Sequence, residues 1–248
     1  MGNPADFSNV SLQTNCEGTN GSTPTSGLDD SELDHASVFS GSAQISTSAA
    51  KFGSSSIDSN AAETRFTRQA DEYHFADGDF TIEWFMRRAT ISANRWAISY
   101  YLTTGNQRSW GIRTAGSSSL EMFMSSTGSS PSVALTWGGV PVDSTFRHIA
   151  VIRQGSTLSA FVEGTRQATT TNSTNLFNAS TDLRLAGAGG SSQRIDAFFD
   201  AIRITKGEAL YDPSQTELIV PASYYPVGDV QDPVASLAGN RRRAGFFM

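Results

Sequence analysis

Hydrophobic and polar residues alternate in short bursts along this chain. In Phe80-Thr81-Ile82-Glu83-Trp84-Phe85-Met86-Arg87, positions 80, 82, 84 and 86 are apolar. That period of two puts the four side chains on one face of a strand, and Asp77-Gly78-Asp79 before it is a turn signal. Phe146 to Arg153 and Thr157 to Val162 are two further bursts joined by Gln154-Gly155-Ser156, a tight hairpin pattern. Trp96–Tyr101, Ser109–Arg113, Leu120–Met124, Asp182–Ala186 and Phe198–Thr205 read as strands too, with a glycine-rich corner at Gly187, Gly189 and Gly190. No stretch of ten or more residues carries apolar positions at helical spacing. Ser, Thr and Gly recur throughout and disfavour helix interiors.

Many short strands split by polar turns predict an all-β, two-sheet antiparallel sandwich, each sheet with one buried and one wet face. On that reading Glu83 and Glu121 are exposed members of alternating strands. Residues 18–59 are rich in Ser, Thr, Gly and Asn and read as a long loop with one short strand near Ala43-Gln44-Ile45. Strand character ends near residue 228, so the expected organisation is one sandwich over 1–228 and a tail over 229–248.

The order of these segments resembles that of the concanavalin A-like, laminin-G-type domain. Four segments carry the resemblance: Gly78 to Phe85, Phe146 to Arg153, Leu158 to Gly164, and Phe198-Phe199-Asp200-Ala201-Ile202-Arg203-Ile204-Thr205-Lys206-Gly207. Phe7 to Leu12, Glu17 to Thr23 and Ala209-Leu210-Tyr211 are similar to the version found in tailed-bacteriophage genomes. The resemblance implies a jelly-roll sandwich and, in many members, a calcium ion held near the Arg-Ile-Thr strand. Asp200, with Glu17 as a weaker partner, is the calcium candidate here. The usual paired Asp is Asp200-Ala201 in this chain, and Glu17 stands where an Asp is usual. The alternative reading is that Asp200 caps the corner by accepting backbone amides.

Composition narrows the function. The 248 residues carry a formal net charge of −6, which argues against a nucleic-acid groove. Aromatics at 10% give material for a core, and charged residues are only 17%. The single cysteine, Cys16, excludes an intrachain disulfide and a cysteine zinc site. No apolar run reaches the roughly 18 residues of a membrane helix. No signal peptide is visible, so the expectation is a protein made in a host cytoplasm.

Candidate chemistry is sparse. The glucanases that share the resembled fold present their carboxylates as Glu-x-Asp-x-x-Glu on one strand, and no such run occurs here. No Gly-x-Ser-x-Gly elbow is present, and His35, His74 and His148 show no ligand spacing. His148, on an apolar strand, reads as a structural histidine. Trp96, Tyr101, Trp110 and Trp137 are the candidates for stacking a sugar, although core packing is the commoner use of such residues in a sandwich. Arg241, Arg242 and Arg243 with Phe246 and Phe247 give the tail a charge and two rings for docking on a partner. The expected function is a non-enzymatic structural protein of a tailed-phage virion, on capsid or tail, contacting other virion proteins and copies of itself. The alternatives are a glycan-binding adhesion module for a polysaccharide and, third, a glycoside hydrolase.

Overall fold

The computed structural model describes residues 7–90, 92–190 and 193–225. The strands are β1 (Val10–Thr14), β2 (Ser37–Phe39), β3 (Gln44–Ser46), β4 (Ser56–Asp58), β5 (Thr64–Phe66), β6 (Phe80–Arg88), β7 (Trp96–Leu102), β8 (Gln107–Thr114), β9 (Leu120–Met124), β10 (Ser132–Trp137), β11 (Arg147–Gln154), β12 (Thr157–Val162), β13 (Thr165–Thr171), β14 (Leu183–Leu185) and β15 (Ala197–Lys206). They form two antiparallel sheets. One runs β13-β12-β11-β6-β15-β4-β3, with β1 also paired to β15; the other runs β10-β9-β8-β7-β14-β5-β2. Among the described residues no helix is long and apolar enough to cross a membrane.

The predicted alternation of β6 holds. Phe80, Ile82, Trp84 and Met86 all enter the core between the sheets, where they meet Ile149, Val151, Ile202 and Ile204 from one side and Ile98, Tyr100, Trp110 and Ile112 from the other. Phe75 is stacked between Phe80 and Trp110, at 4.5 and 5.2 Å. Burying each such side chain contributes about 1.5–3 kcal/mol. The β11–β12 hairpin closes on Gln154↔Thr157, leaving Gly155-Ser156 as a two-residue turn with Gly155 at φ 56°.

Two expectations are corrected. The span 18–59 is not one long loop with one strand: β2, β3 and β4 all lie in it, each three residues long, with β2 paired to β5, β3 to β4 and β4 also to the distant β15. Nor does the eight-stranded sheet keep a wet outer face at its centre. The segment 207–225 crosses that face and buries Leu210 and Tyr211 against Val10, Ala150, Ile152 and Phe161, and Tyr225 against Phe85, Phe146 and Phe198. Glu83 is consequently fully buried rather than exposed, and the side chain of Glu121 is only 13% exposed.

A bulge on β15 decides which side chains reach this covered face. Asp200 pairs with Phe85 but Arg203 with Glu83, so β15 spends one extra residue, with Ala201 at φ 42°. A one-residue insertion reverses the in-out parity of all that follows. Phe199, Ile202 and Ile204 therefore all point into the core, while Asp200 and Arg203 both lie on the outer side.

Candidate functional site

Among the described residues, polar and aromatic groups gather at several places outside the core, and the eight-stranded sheet's covered face is the first. Arg203 Nε donates to Glu83 Oε1 at 2.8 Å, the Tyr211 hydroxyl donates to Oε2 at 3.0 Å, and His148 Nε2 lies 3.1 Å from Oε2. The Arg203 guanidinium also sits 4.2 Å over the Tyr225 ring. Burial alone raises a carboxyl's pKa, but the Arg203 charge and the His148 contact outweigh it and hold Glu83 at about 2. Both oxygens are engaged under a sealed segment, so Glu83 serves as a structural anion. His148 is the structural histidine the sequence suggested.

Beside this network, Asp200 Oδ2 accepts the backbone amides of Lys51 at 2.7 Å and Phe52 at 3.2 Å, and Oδ1 accepts Ala201 N at 2.8 Å. This is the amide-capping role weighed against calcium. Burial outweighs these bonds and pushes the Asp200 carboxyl up to about 7. Glu17 grips the same loop from the other side through Ser54 N at 2.9 Å, Ser54 Oγ at 2.7 Å and the Tyr224 hydroxyl. Both calcium candidates thus hold the 49–55 loop. Among the described residues no group of three or more His, Cys, Asp or Glu is arranged to hold a metal ion. Cys16 is buried, which raises its thiol well above the usual range, and the nearby Asp200 adds to that.

The outer face of the seven-stranded sheet brings two of the four predicted sugar-stacking residues together. The Trp96 and Tyr101 rings lie 4.6 Å apart, and the Arg113 guanidinium sits 4.2 Å over Phe123 while pairing with Glu121 at 2.7 Å. Gly111 makes room for Trp96, since a Cβ there would lie 2.7 Å from the indole. Trp96 and Tyr101 are nonetheless only 3% and 6% exposed. Ala188 packs on them, and Trp96 Nε1 donates to Gln193 Oε1 at 3.2 Å. Trp110 and Trp137 belong to the core, with Trp110 Nε1 donating to Tyr73 O at 2.9 Å. A sugar needs an open ring face, so burial removes all four from direct stacking. Arg241, Arg242, Arg243, Phe246 and Phe247 lie outside the described residues.

The third place was not singled out as a site in the sequence. Where the 207–225 segment passes the end of the β11–β12 hairpin, it leaves an open-sided cleft of about 500 Å³. Ala209, Leu210, Tyr211, Leu218 and Ile219 form its apolar wall, and Gln154, Asp212, Gln215 and Glu217 its polar rim. Backbone pairing fixes the segment: Arg166 N donates to Thr216 O and Leu218 N to Gly164 O. Asp212 accepts Ser214 N, Ser214 Oγ and Gln215 Nε2, which hold its carboxyl below the usual range. The one available signal was Ala209-Leu210-Tyr211.

The family model described as the concanavalin A-like lectin/glucanases superfamily matches residues 53–210. No curated protein sequence matches. Among solved structures, the binding domain of Paraclostridial Mosquitocidal Protein 1 aligns with a TM-score of 0.62 at 13% identity, over 83% of this chain and 50% of that one. The binding domain of botulinum neurotoxin DC, in complex with rat synaptotagmin II, aligns at 0.56 and 11%, over 82% and 50%. Domain 4 of AbnA, a GH43 extracellular arabinanase from Geobacillus stearothermophilus in complex with arabinotriose, aligns at 0.60 and 13%, over 84% and 96%. The chain spans about half the length of the toxin binding domains, and at these identities the likeness establishes the fold alone.

Proposed function

Because the chain belongs to the concanavalin A-like lectin/glucanases superfamily, we propose that it is a non-catalytic binding module that takes a saccharide in the cleft between the β11–β12 hairpin and residues 209–219. The carrying observation is the lining. An apolar wall suits the C–H face of a sugar ring, and the amides of Gln154 and Gln215 with the Glu217 carboxylate suit its hydroxyls. The non-catalytic reading is supported by Glu83, whose oxygens are committed to Arg203, His148 and Tyr211, whereas glycoside hydrolysis needs two carboxyls flanking the scissile bond. The fold neighbour holding arabinotriose makes that sugar the first probe. Calorimetric titration of arabinotriose and a glycan array test the reading. Gln154→Ala and Gln215→Ala are expected to weaken binding about tenfold each, equivalent to about 1.4 kcal/mol. No binding on the array, or binding indifferent to both variants, overturns it.

A second reading concerns where the module works, and it favours a tailed-phage virion, on capsid or tail. Two of the three phage-type segments meet in space: Val10 of the opening segment packs against Leu210 and Tyr211. In that setting the partners are other virion proteins and further copies of this chain, and the tail from 229 is the docking element. Cryo-electron microscopy of purified particles tests it. Density on the lattice or tail, lost when 229–248 are deleted, supports it, and absence from particles sinks it.

A further inference from the structure

A second, smaller cleft of about 280 Å³ opens where the segment after β6 and the segment before β15 meet, lined by Ala61, Thr90, Ser92, Arg95, Arg194 and Asp196. Its backbone is fixed by Ala89 N to Asp196 O at 3.0 Å and Trp96 N to Gln193 O at 3.0 Å. The floor is therefore held by the ends of the two central strands.

Arg194 is the anomaly in it. Other buried guanidinium groups have partners through at least one nitrogen: Arg88 reaches three carbonyls, Arg153 three, and Arg203 reaches Glu83, although the Arg88 and Arg184 Nε atoms are likewise enclosed without an acceptor. Arg194 is half-buried, and its Nε is fully enclosed with no acceptor. It makes no ion pair or side-chain hydrogen bond among the described residues. A charge withdrawn from water without a partner is costly, so a fitting anion would be drawn to it. Arg95 lines the same cleft but is already engaged elsewhere. Asp196, the one carboxylate in the lining, opposes a bare dianion but can accept sugar hydroxyls, and Thr90 and Ser92 add hydroxyl groups. The space equals roughly nine water volumes at ~30 Å³ each, room for one sugar ring.

We infer that this cleft is a subsite for a carboxylate-bearing sugar unit, a hexuronate, with its carboxylate on Arg194 and a hydroxyl on Asp196. It is separate from the cleft at 209–219 and does not rest on that site's assignment.

The test is an amide NMR titration of the full chain at low ionic strength with glucuronate, glucose and sodium sulfate as probes. Glucuronate is expected to shift the amides of 92–96 and 193–196, glucose is not, and added salt should weaken the effect. Arg194→Gln should reduce glucuronate affinity at least tenfold with its thermal melt unchanged, Arg194→Lys should retain part of it, and Gln154→Ala should leave it intact. Glucuronate that moves no amides, or moves them equally in Arg194→Gln, overturns the proposal. Sulfate binding as tightly as glucuronate overturns the sugar assignment, because the cleft would then read only a bare oxyanion.

Discussion

Glu83 and Arg203, 120 residues apart in the chain, face each other across β6 and β15 as a fully enclosed ion pair, with the two side chains 0% and 3% exposed. The pair stands opposite only because the β15 bulge brings Arg203 to the outer face. Removing one partner of a buried pair costs about 3–5 kcal/mol, because the survivor is left charged and unsolvated. Glu83→Gln is therefore expected to lower the urea unfolding free energy by about that amount. Glu83→Leu combined with Arg203→Met should recover most of the loss. A single variant within 1 kcal/mol of wild type would show that the pair is not sealed.

His35 should set the alkaline limit of stability. Its Nδ1 lies 2.6 Å from Asp29 Oδ2 and its Nε2 3.2 Å from Glu72 Oε1, tying the 29–35 loop to the 69–73 loop. Burial lowers the imidazole's pKa, but the bonds to Asp29 and Glu72 outweigh it and raise it from 6.5 to about 9. A raised folded value means the contribution is complete below pH 6.5 and lost as pH rises through about 9. For Glu72, burial acts upward, but His35 and the Gln69 and Ala70 amides bring it down to about 2. Its contribution is present above about pH 4.5 and lost as pH falls toward 2. Urea midpoints measured at pH 6, 7.5 and 9 should decline in the wild type, and His35→Gln should flatten the decline.

Much of the sandwich was legible because its signal is local. The run from Phe80 to Met86 and the Gly155-Ser156 turn state their conformation within a few residues. β13, Thr165–Thr171, was not legible: an edge strand of Thr, Arg and Gln with Ala168 as its one apolar residue carries no alternation to betray it. Glu83 was misread for a different reason. Alternation identifies the core face, but whether the other face is wet depends on the segment 207–225, more than a hundred residues away. The same segment builds the larger cleft, so that site was invisible for the reason that Glu83 was. Trp96 and Tyr101 did meet, but Ala188 and Gln193, on the glycine-rich corner, cover them.

Gly111→Ala should disturb this aromatic group without touching the core. The added Cβ would lie 2.7 Å from the Trp96 ring and 3.1 Å from Ser99 Cβ, so the indole must move off Tyr101 and Gln193. Overpacking of this kind typically costs about 1–3 kcal/mol. The expected readout is a changed near-ultraviolet circular dichroism spectrum with the far-ultraviolet spectrum retained. An unaltered aromatic signal would mean that the ring is free to shift.

Asp200 gives the last test, because its titration runs opposite to that of a stabilising carboxylate. Burial outweighs the Lys51, Phe52 and Ala201 amides and lifts it from 3.8 to about 7. A carboxyl raised on folding contributes fully below its unfolded value, and that contribution is lost as pH rises through the folded one. Wild-type stability should therefore carry a falling component between about pH 4 and 7. Asp200→Asn, which keeps an oxygen acceptor for the amides but cannot ionise, should remove that component while leaving the protein folded. Calcium at pH 8 is expected to leave the melting temperature unchanged, because the ion would have to displace the amides that already occupy the carboxylate. A calcium-dependent rise that disappears in Asp200→Asn would instead make this corner a metal site, with the 49–55 loop as the part that moves to admit the ion.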